Sequence, residues 1–348
     1  MNKKVKKKPT RKKARREKKK KKSFSVFVGL IYVITFLVIT TPLVLIYGPY
    51  DKTRKTLIST VLATRHAYLV NDFIPQKTLD KILGKSEIEE ESVPTNTSID
   101  LNKIDVKYDS GNNVTKYDIH TERYDGYMLE IENPHKVKVA MTKYLGKLGQ
   151  KTSEMAEEHN AIAAINGGAF SDTSSDGVIR AGTGGKPEGF VISNGNVIYP
   201  TTKCDEHFIA NVIAFTKKGQ LIVGNHTLAE LKKLDVQEAM CFREPNVIIN
   251  GVRQHKKEDY VDGINPRTAV GQKEDGTVLF LTLDGRKLSK PGATIYEVQE
   301  IMKNRGAINA GMLDGGYSTT MYYKGDVINS PNSWDGERTV ATAFYVEQ

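Results

Sequence analysis

Asn265-Pro266-Arg267-Thr268-Ala269-Val270-Gly271, Leu283-Asp284-Gly285-Arg286 and Met312-Leu313-Asp314-Gly315-Gly316-Tyr317-Ser318-Thr319-Thr320-Met321 fall within one short C-terminal region. Each Asp-Gly corner closes an apolar run, which is the pattern of strands that stop in tight loops. Loops held by a rigid sheet are where binding and reactive side chains collect. The region therefore predicts a sheet whose loops carry Arg267, Asp284 and Asp314. A guanidinium forks onto phosphate oxygens, and a carboxylate moves protons or holds a sugar hydroxyl. Pro266 pins the chain ahead of Arg267 in an extended or turn form.

Outward from these runs, strand and helix signals alternate. Strands are expected at Val137–Met141, Ala161–Ile165, Asn246–Ile249, Thr277–Leu283, Ala307–Leu313 and Val340–Val346. Asn194-Gly195 and Lys218-Gly219 each join two short apolar runs and predict hairpins. Thr152–His159 reads as a short helix. Thr294–Arg305 reads as a longer one, with capping-box spacing between Thr294 and Glu297 and Gly306 after its last turn. The mixture predicts an α/β or α+β mixed-sheet globular domain over residues 117–348, large enough to bury a core of its own.

Inside that domain, Asn166-Gly167-Gly168 ends a buried apolar run. Its glycines would let backbone N–H groups approach an anion or a sugar closely. Asp314-Gly315-Gly316 repeats the helix–strand–turn pattern, and the two corners would face each other across one pocket. Asn166, Gly167, Gly168, Arg286, Gly315, Gly316, Ser318 and Thr319 are thus candidates for substrate binding. The plain alternative for each is an ordinary turn residue or a solvated hairpin tip. Asp172-x-Ser174-x-Asp176-Gly177 begins like a calcium loop, but Thr183 stands where a bidentate Glu belongs. Ser318 lacks a Gly-x-Ser-x-Gly elbow. The seven histidines are scattered, and no residue pattern calls for a metal or a cofactor. The two cysteines, Cys204 and Cys241, are expected to form a disulfide, with two buried thiols as the alternative.

The N-terminus makes a different statement. Residues 1–22 carry a local charge of +14, against +10 for the whole chain, so the remainder sums to −4. The high pI belongs to the tail, and nucleic acid is not an expected partner of the folded part. Residues 24–48 hold no charged side chain. As a helix they would extend roughly 37 Å at ~1.5 Å per residue, enough to cross a bilayer. A cleaved signal peptide would have a shorter apolar region ending in small residues. The expected organisation is a basic cytoplasmic tail (1–22), a transmembrane helix (23–48), a membrane-proximal helical stalk (49–84), a polar linker (85–116) and the outer domain. The tail stays inside and would touch anionic lipid, which places residues 49–348 outside the cell.

Five runs, in order, resemble the phosphodiester glycosidase family: Ala164-Ile165-Asn166-Gly167-Gly168-Ala169-Phe170, Gly189-Phe190-Val191-Ile192-Ser193-Asn194-Gly195, Asn265 to Gly271, Asp284-Gly285-Arg286 and Leu313-Asp314-Gly315-Gly316. The likeness covers about residues 120–348. Family members often carry an aromatic where Ala169 stands and a small residue where Tyr317 stands. The resemblance implies hydrolysis of the glycosidic bond of a sugar-1-phosphate diester, such as an N-acetylglucosamine-1-phosphodiester, in cell-envelope or exopolysaccharide glycans. Arg267 would hold the phosphate, and Asp314 or Asp284 would activate water or support an oxocarbenium-like state. Competing readings are a non-catalytic glycan-binding module and a phosphodiesterase or transferase acting at the P–O bond.

Overall fold

The computed structural model describes residues 27–41, scattered positions between 43 and 82, and residues 99–348 apart from 109, 172–183, 244–245, 258–262, 288 and 334–335. The chain divides into one unit over residues 1–55 and a second over 56–348.

In the first unit residues 27–41 are helical, and Phe27, Leu30, Ile31 and Phe36 are exposed. This is the described part of the expected span. Among the described residues no helix is long and apolar enough to cross a membrane. The basic tail at 1–22 lies outside the described residues. In the second unit, Ile58, Val70, Ile74, Leu79 and Ile82 of the expected stalk are buried. Residues 83–98 lie outside the described set. The later part of the expected linker is built into the domain. Ile104 is buried, and the amides of Asp105 and Lys107 donate to the carbonyls of Glu274 and Asp275.

The domain is rich in β structure. Its first sheet runs in the order β1 (Val114–His120), β2 (Asp125–Ile131), β15 (Val278–Leu283), β14 (Arg267–Lys273), β16 (Ala307–Leu313), β12 (Asn246–Ile249), β13 (Val252–Arg253). The second runs β10 (Leu221–Thr227), β9 (Ile209–Thr216), β11 (Val236–Cys241), β7 (Val191–Ser193), β8 (Asn196–Tyr199). The third runs β18 (Asp326–Val327), β17 (Met321–Tyr323), β4 (Ala163–Asn166), β19 (Thr342–Val346), β3 (Val137–Met141). A ribbon pairs β5 (Phe170–Ser171) with β6 (Lys186–Pro187). The described helices of the domain are short: α1 (Thr152–Glu158), α2 (Leu228–Lys233) and α3 (Ile295–Asn304).

Every pairing among these strands is antiparallel. That corrects the α/β expectation. Helix α3 does cross from β15 to β16, as an α/β unit would. Strand β14 lies between those two, however, so no parallel pair forms.

One core is shared by all three sheets. Leu129, Val270 and Phe280 of the first sheet, Ile213 and Phe215 of the second, and Ile165 and Phe344 of the third belong to a single cluster. Each sheet's other face has a helix against it: Val298 and Met302 of α3, Leu228 and Leu231 of α2, and Met155 and Ala156 of α1 fill the three outer clusters. Helix α3 starts as its sequence predicts. Thr294 Oγ1 accepts the Glu297 amide at 3.2 Å, and the Glu297 carboxylate accepts the Thr294 amide at 2.8 Å.

Register brings the signature runs together. Strand β14 is antiparallel to both neighbours, with Arg267 opposite Leu283 and Thr268 opposite Leu313. The start of β14 and the ends of β15 and β16 therefore share one end of the sheet. Asn265–Arg267, Asp284–Arg286 and Asp314–Gly316 meet there.

Candidate active site

Asp314 follows β16 and is partly buried. Burial pushes its carboxyl above the ordinary aspartate value, against the Ser318 hydroxyl and the guanidinium groups of Arg338, Arg243 and Arg286, which favour the charged form. Each sheet supplies one of these arginines from a strand end. Arg286 comes just after β15, Arg243 just after β11 and Arg338 just before β19.

All three guanidiniums lie over aromatic rings. Arg286 Cζ is 4.3 Å from the Tyr317 centroid, Arg338 Cζ is 4.8 Å from that of Phe170, and Arg243 Cζ is 5.8 Å from that of Phe242. Stacking orients a guanidinium through its face and leaves its in-plane N–H donors for other partners. Arg286 also feels its own burial, which lowers its pKa, and the neighbouring Tyr317 and Asp314, which raise it. A carboxylate within the electrostatic reach of three stacked arginines suits an anionic substrate that needs a proton moved.

The two glycine corners do face each other. Asn166 Nδ2 donates to the Asp314 carbonyl at 2.6 Å, and the Asp314 amide donates to the Gly167 carbonyl at 3.1 Å. Asn166 Oδ1 accepts Thr268 Oγ1 at 2.8 Å and the Thr320 amide at 3.1 Å. The Asn166 side chain thus fastens the first sheet to the third beneath Asp314.

The glycines serve this packing instead of an anion nest. Amides of Gly167 and Gly168 donate to Thr342 O and Thr342 Oγ1, and the Gly316 amide donates to Pro266 O. A Cβ on Gly168 would lie 2.1 Å from Cys241 O, and one on Gly315 would lie 2.7 Å from Pro266 O. Glycine is required because two stretches of the protein's own backbone touch.

Two of the expected catalytic residues are engaged elsewhere. Alternation along β14 sends Thr268 towards Asn166 and Arg267 to the opposite face of the sheet. Arg267 is 5% exposed, and its Nε and Nη2 donate to the carbonyls of Ala293 at 3.0 Å and Gly263 at 2.6 Å. It starts a strand, contrary to the loop position expected, and its Nε and Nη2 are taken by backbone carbonyls. Asp284 does end β15, but its carboxylate accepts Asn329 Nδ2 at 2.9 Å and the Ser330 amide at 3.0 Å. Asn329 in turn binds Thr319 O and the Met321 amide. Asp284 therefore braces the segment around residue 329 against the Ser318–Met321 stretch. Burial raises its pKa against those hydrogen bonds.

Ser318 is at the Asp314 carboxyl, and Thr319 is buried behind it. The calcium-like loop at 172–183 lies outside the described residues. Among the described residues no His, Cys, Asp or Glu cluster could hold a metal ion. The expected disulfide is not formed, since both cysteines are free thiols. Cys241 is buried, its Sγ donating to Phe190 O and accepting the Phe190 amide, each at 3.3 Å. Arg243, Arg338 and the ring of Phe170, candidates by their position in the structure, were not legible from the sequence. Arg243 follows Val236–Cys241, whose apolar residues are interrupted by Gln237 and Glu238. Arg338 sits in a polar stretch with no local signal.

The family model for phosphodiester glycosidase matches residues 159–347, and the chain belongs to the phosphodiester glycosidase family. Over 83 residues it is 44% identical to the SPbeta prophage-derived uncharacterized protein YomE of Bacillus subtilis (strain 168), covering 24% of this chain and 13% of that protein. Over 146 residues it is 25% identical to the N-acetylglucosamine-1-phosphodiester alpha-N-acetylglucosaminidase of Bos taurus, covering 40% of this chain and 24% of the enzyme. The chain thus spans less than a quarter of the length of these two relatives. Its fold is similar to the catalytic domain of the zebrafish N-acetylglucosamine-1-phosphodiester alpha-N-acetylglucosaminidase, solved auto-inhibited by its pro-peptide. The TM-score is 0.55 at 19% identity, over 70% of this chain and 87% of that one.

Proposed function

We propose that the domain hydrolyses the glycosidic bond of sugar-1-phosphate diesters. The observation that carries this reading is the carboxylate of Asp314 among Arg243, Arg286 and Arg338. The arginines bind the phosphodiester anion and stabilise the charge it gains as it departs. Asp314, ionised, faces the anomeric carbon and takes a proton from the attacking water. The C–O bond breaks with its electron pair going to the phosphate oxygen, and water oxygen bonds to the sugar. A phosphomonoester is a good leaving group, so no strong general acid is needed on that side. Ser318 and the arginines favour the charged form of Asp314, against burial, which raises its pKa. Incubation with an N-acetylglucosamine-1-phosphodiester should release free sugar and a phosphomonoester. Sugar 1-phosphate as product would mean P–O cleavage and would overturn the reading, as would intact substrate.

The setting belongs to the same proposal. Residues 24–48 anchor the chain, the +14 tail lies in the cytoplasm and the domain faces outward onto envelope or exopolysaccharide glycans. The uncharged run supports this, as do the exposed apolar side chains of its described helical part. Protease added to intact cells should remove the domain and leave the tail. A protected C-terminus would reverse the topology.

A further inference from the structure

Arg286 is held in a way that gives its neighbour a second task. It is a non-glycine residue at φ +56°, a left-handed backbone conformation that side chains other than glycine seldom adopt and that is retained where the surroundings enforce it. Its Nε and Nη2 both donate to Asn265 Oδ1, at 3.3 and 3.0 Å. Gly316, at φ +62°, lets the chain pass so close that a Cβ there would lie 2.9 Å from Arg286 Nη2. The Tyr317 ring closes the third side, 4.3 Å from the guanidinium carbon. Yet Tyr317 is 47% exposed while its neighbour Ser318 is fully buried. A large aromatic ring is thus left standing beside Asp314, with one face on a fixed cation.

We propose that Tyr317 is a specificity-determining residue that stacks on the pyranose ring of the substrate. This rests on the reading of Asp314 and its arginines as the phosphodiester site. With the phosphate at Arg286 and the anomeric carbon at Asp314, the sugar ring lies next to both, which is where Tyr317 stands. The C–H face of a pyranose packs on an aromatic face as other apolar groups do, and the tyrosine hydroxyl keeps a wet edge. One face of Tyr317 therefore orients the arginine that takes the phosphate, and the exposed remainder reads the sugar attached to it.

Binding by the full chain, with Asp314→Asn to prevent turnover, separates the two tasks. The probes are dimethyl phosphate and N-acetylglucosamine 1-(methyl phosphate). Tyr317→Ala should weaken the sugar diester about tenfold, on the order of 1.4 kcal/mol, and dimethyl phosphate no more than about threefold. Tyr317→Phe should bind both as the parent does. Tyr317→Leu repeats the aliphatic arm should Tyr317→Ala melt early. Equal loss for both probes would make Tyr317 a positioning residue for Arg286 alone, and no loss for either would remove it from recognition. Both results overturn the proposal. Wild-type chain that binds the sugar diester through Tyr317 but never cleaves it would sink the proposed activity and leave this inference standing.

Discussion

Asp314→Asn will lower turnover of a sugar-1-phosphate diester by at least about 10²–10⁴-fold, the usual cost of losing a proton-transferring group, and will not lower the melting temperature at neutral pH. The second half follows from linkage. The folded protein holds this carboxyl above its ordinary pKa, because burial opposes the charge more than Ser318 and the three arginines favour it. Such a group costs no stability below its unfolded pKa, where it is protonated in both states. Stability is lost as pH rises through the folded value. At neutral pH the buried Asp314 carboxyl is thus a liability that Asn lacks, and the variant should melt at the same temperature or higher. The difference should fade in acid. Activity runs the other way: the ionised form works, so kcat/KM should fall as pH drops through the Asp314 pKa, in a limb lying above an unperturbed aspartate. An Asn variant that retains turnover, or an acid limb below the ordinary value, would remove Asp314 from the mechanism.

Arg267→Ala and Arg338→Ala should fail in opposite ways. Arg267 holds the carbonyls of Ala293 and Gly263 on the buried face of β14. Removing it takes a donor from each: the Gly263 carbonyl loses its Arg267 partner, at roughly 1–3 kcal/mol, while the Ala293 carbonyl keeps the Asn265 amide at 3.1 Å. For a domain of this size each kcal/mol is worth about 2–4 °C, so the variant should melt well below the parent. Arg338 is partly exposed over Phe170 beside Asp314. Its loss should leave melting nearly unchanged and reduce kcat/KM about 10–100-fold, the worth of one charge-assisted hydrogen bond. Thermal melting and steady-state kinetics on the same two preparations decide the matter. A stable Arg267→Ala protein without activity would return that residue to the site.

Much of the fold was legible because the strands are amphipathic or fully apolar and their turns are strongly marked. Val137–Met141, Asn246–Ile249 and Ala307–Leu313 coincide with β3, β12 and β16, and the capping box located α3. Strand direction was not legible. Helix α3 looks the same whether or not the earlier strand β14 lies between β15 and β16, and only the pairing of β14 excludes a parallel pair there. The strand-end positions of Asp314 and Arg286 were legible because turn chemistry marks strand ends. Arg267 was expected on a loop and instead starts a strand. Its neighbours spell a motif, but which face of a strand a side chain takes depends on register, a property of partners distant in sequence. Arg243 and Arg338 come from the other two sheets and meet Asp314 only once three sheets share a core.

Hydrolysis in ¹⁸O-labelled water is the most direct test of cleavage at the glycosidic carbon. Attack at that carbon puts the label in the released sugar and leaves the phosphomonoester unlabelled, which is the result expected of Asp314 directing water at the sugar. Label in the phosphate would place the attack at phosphorus and contradict the mechanism.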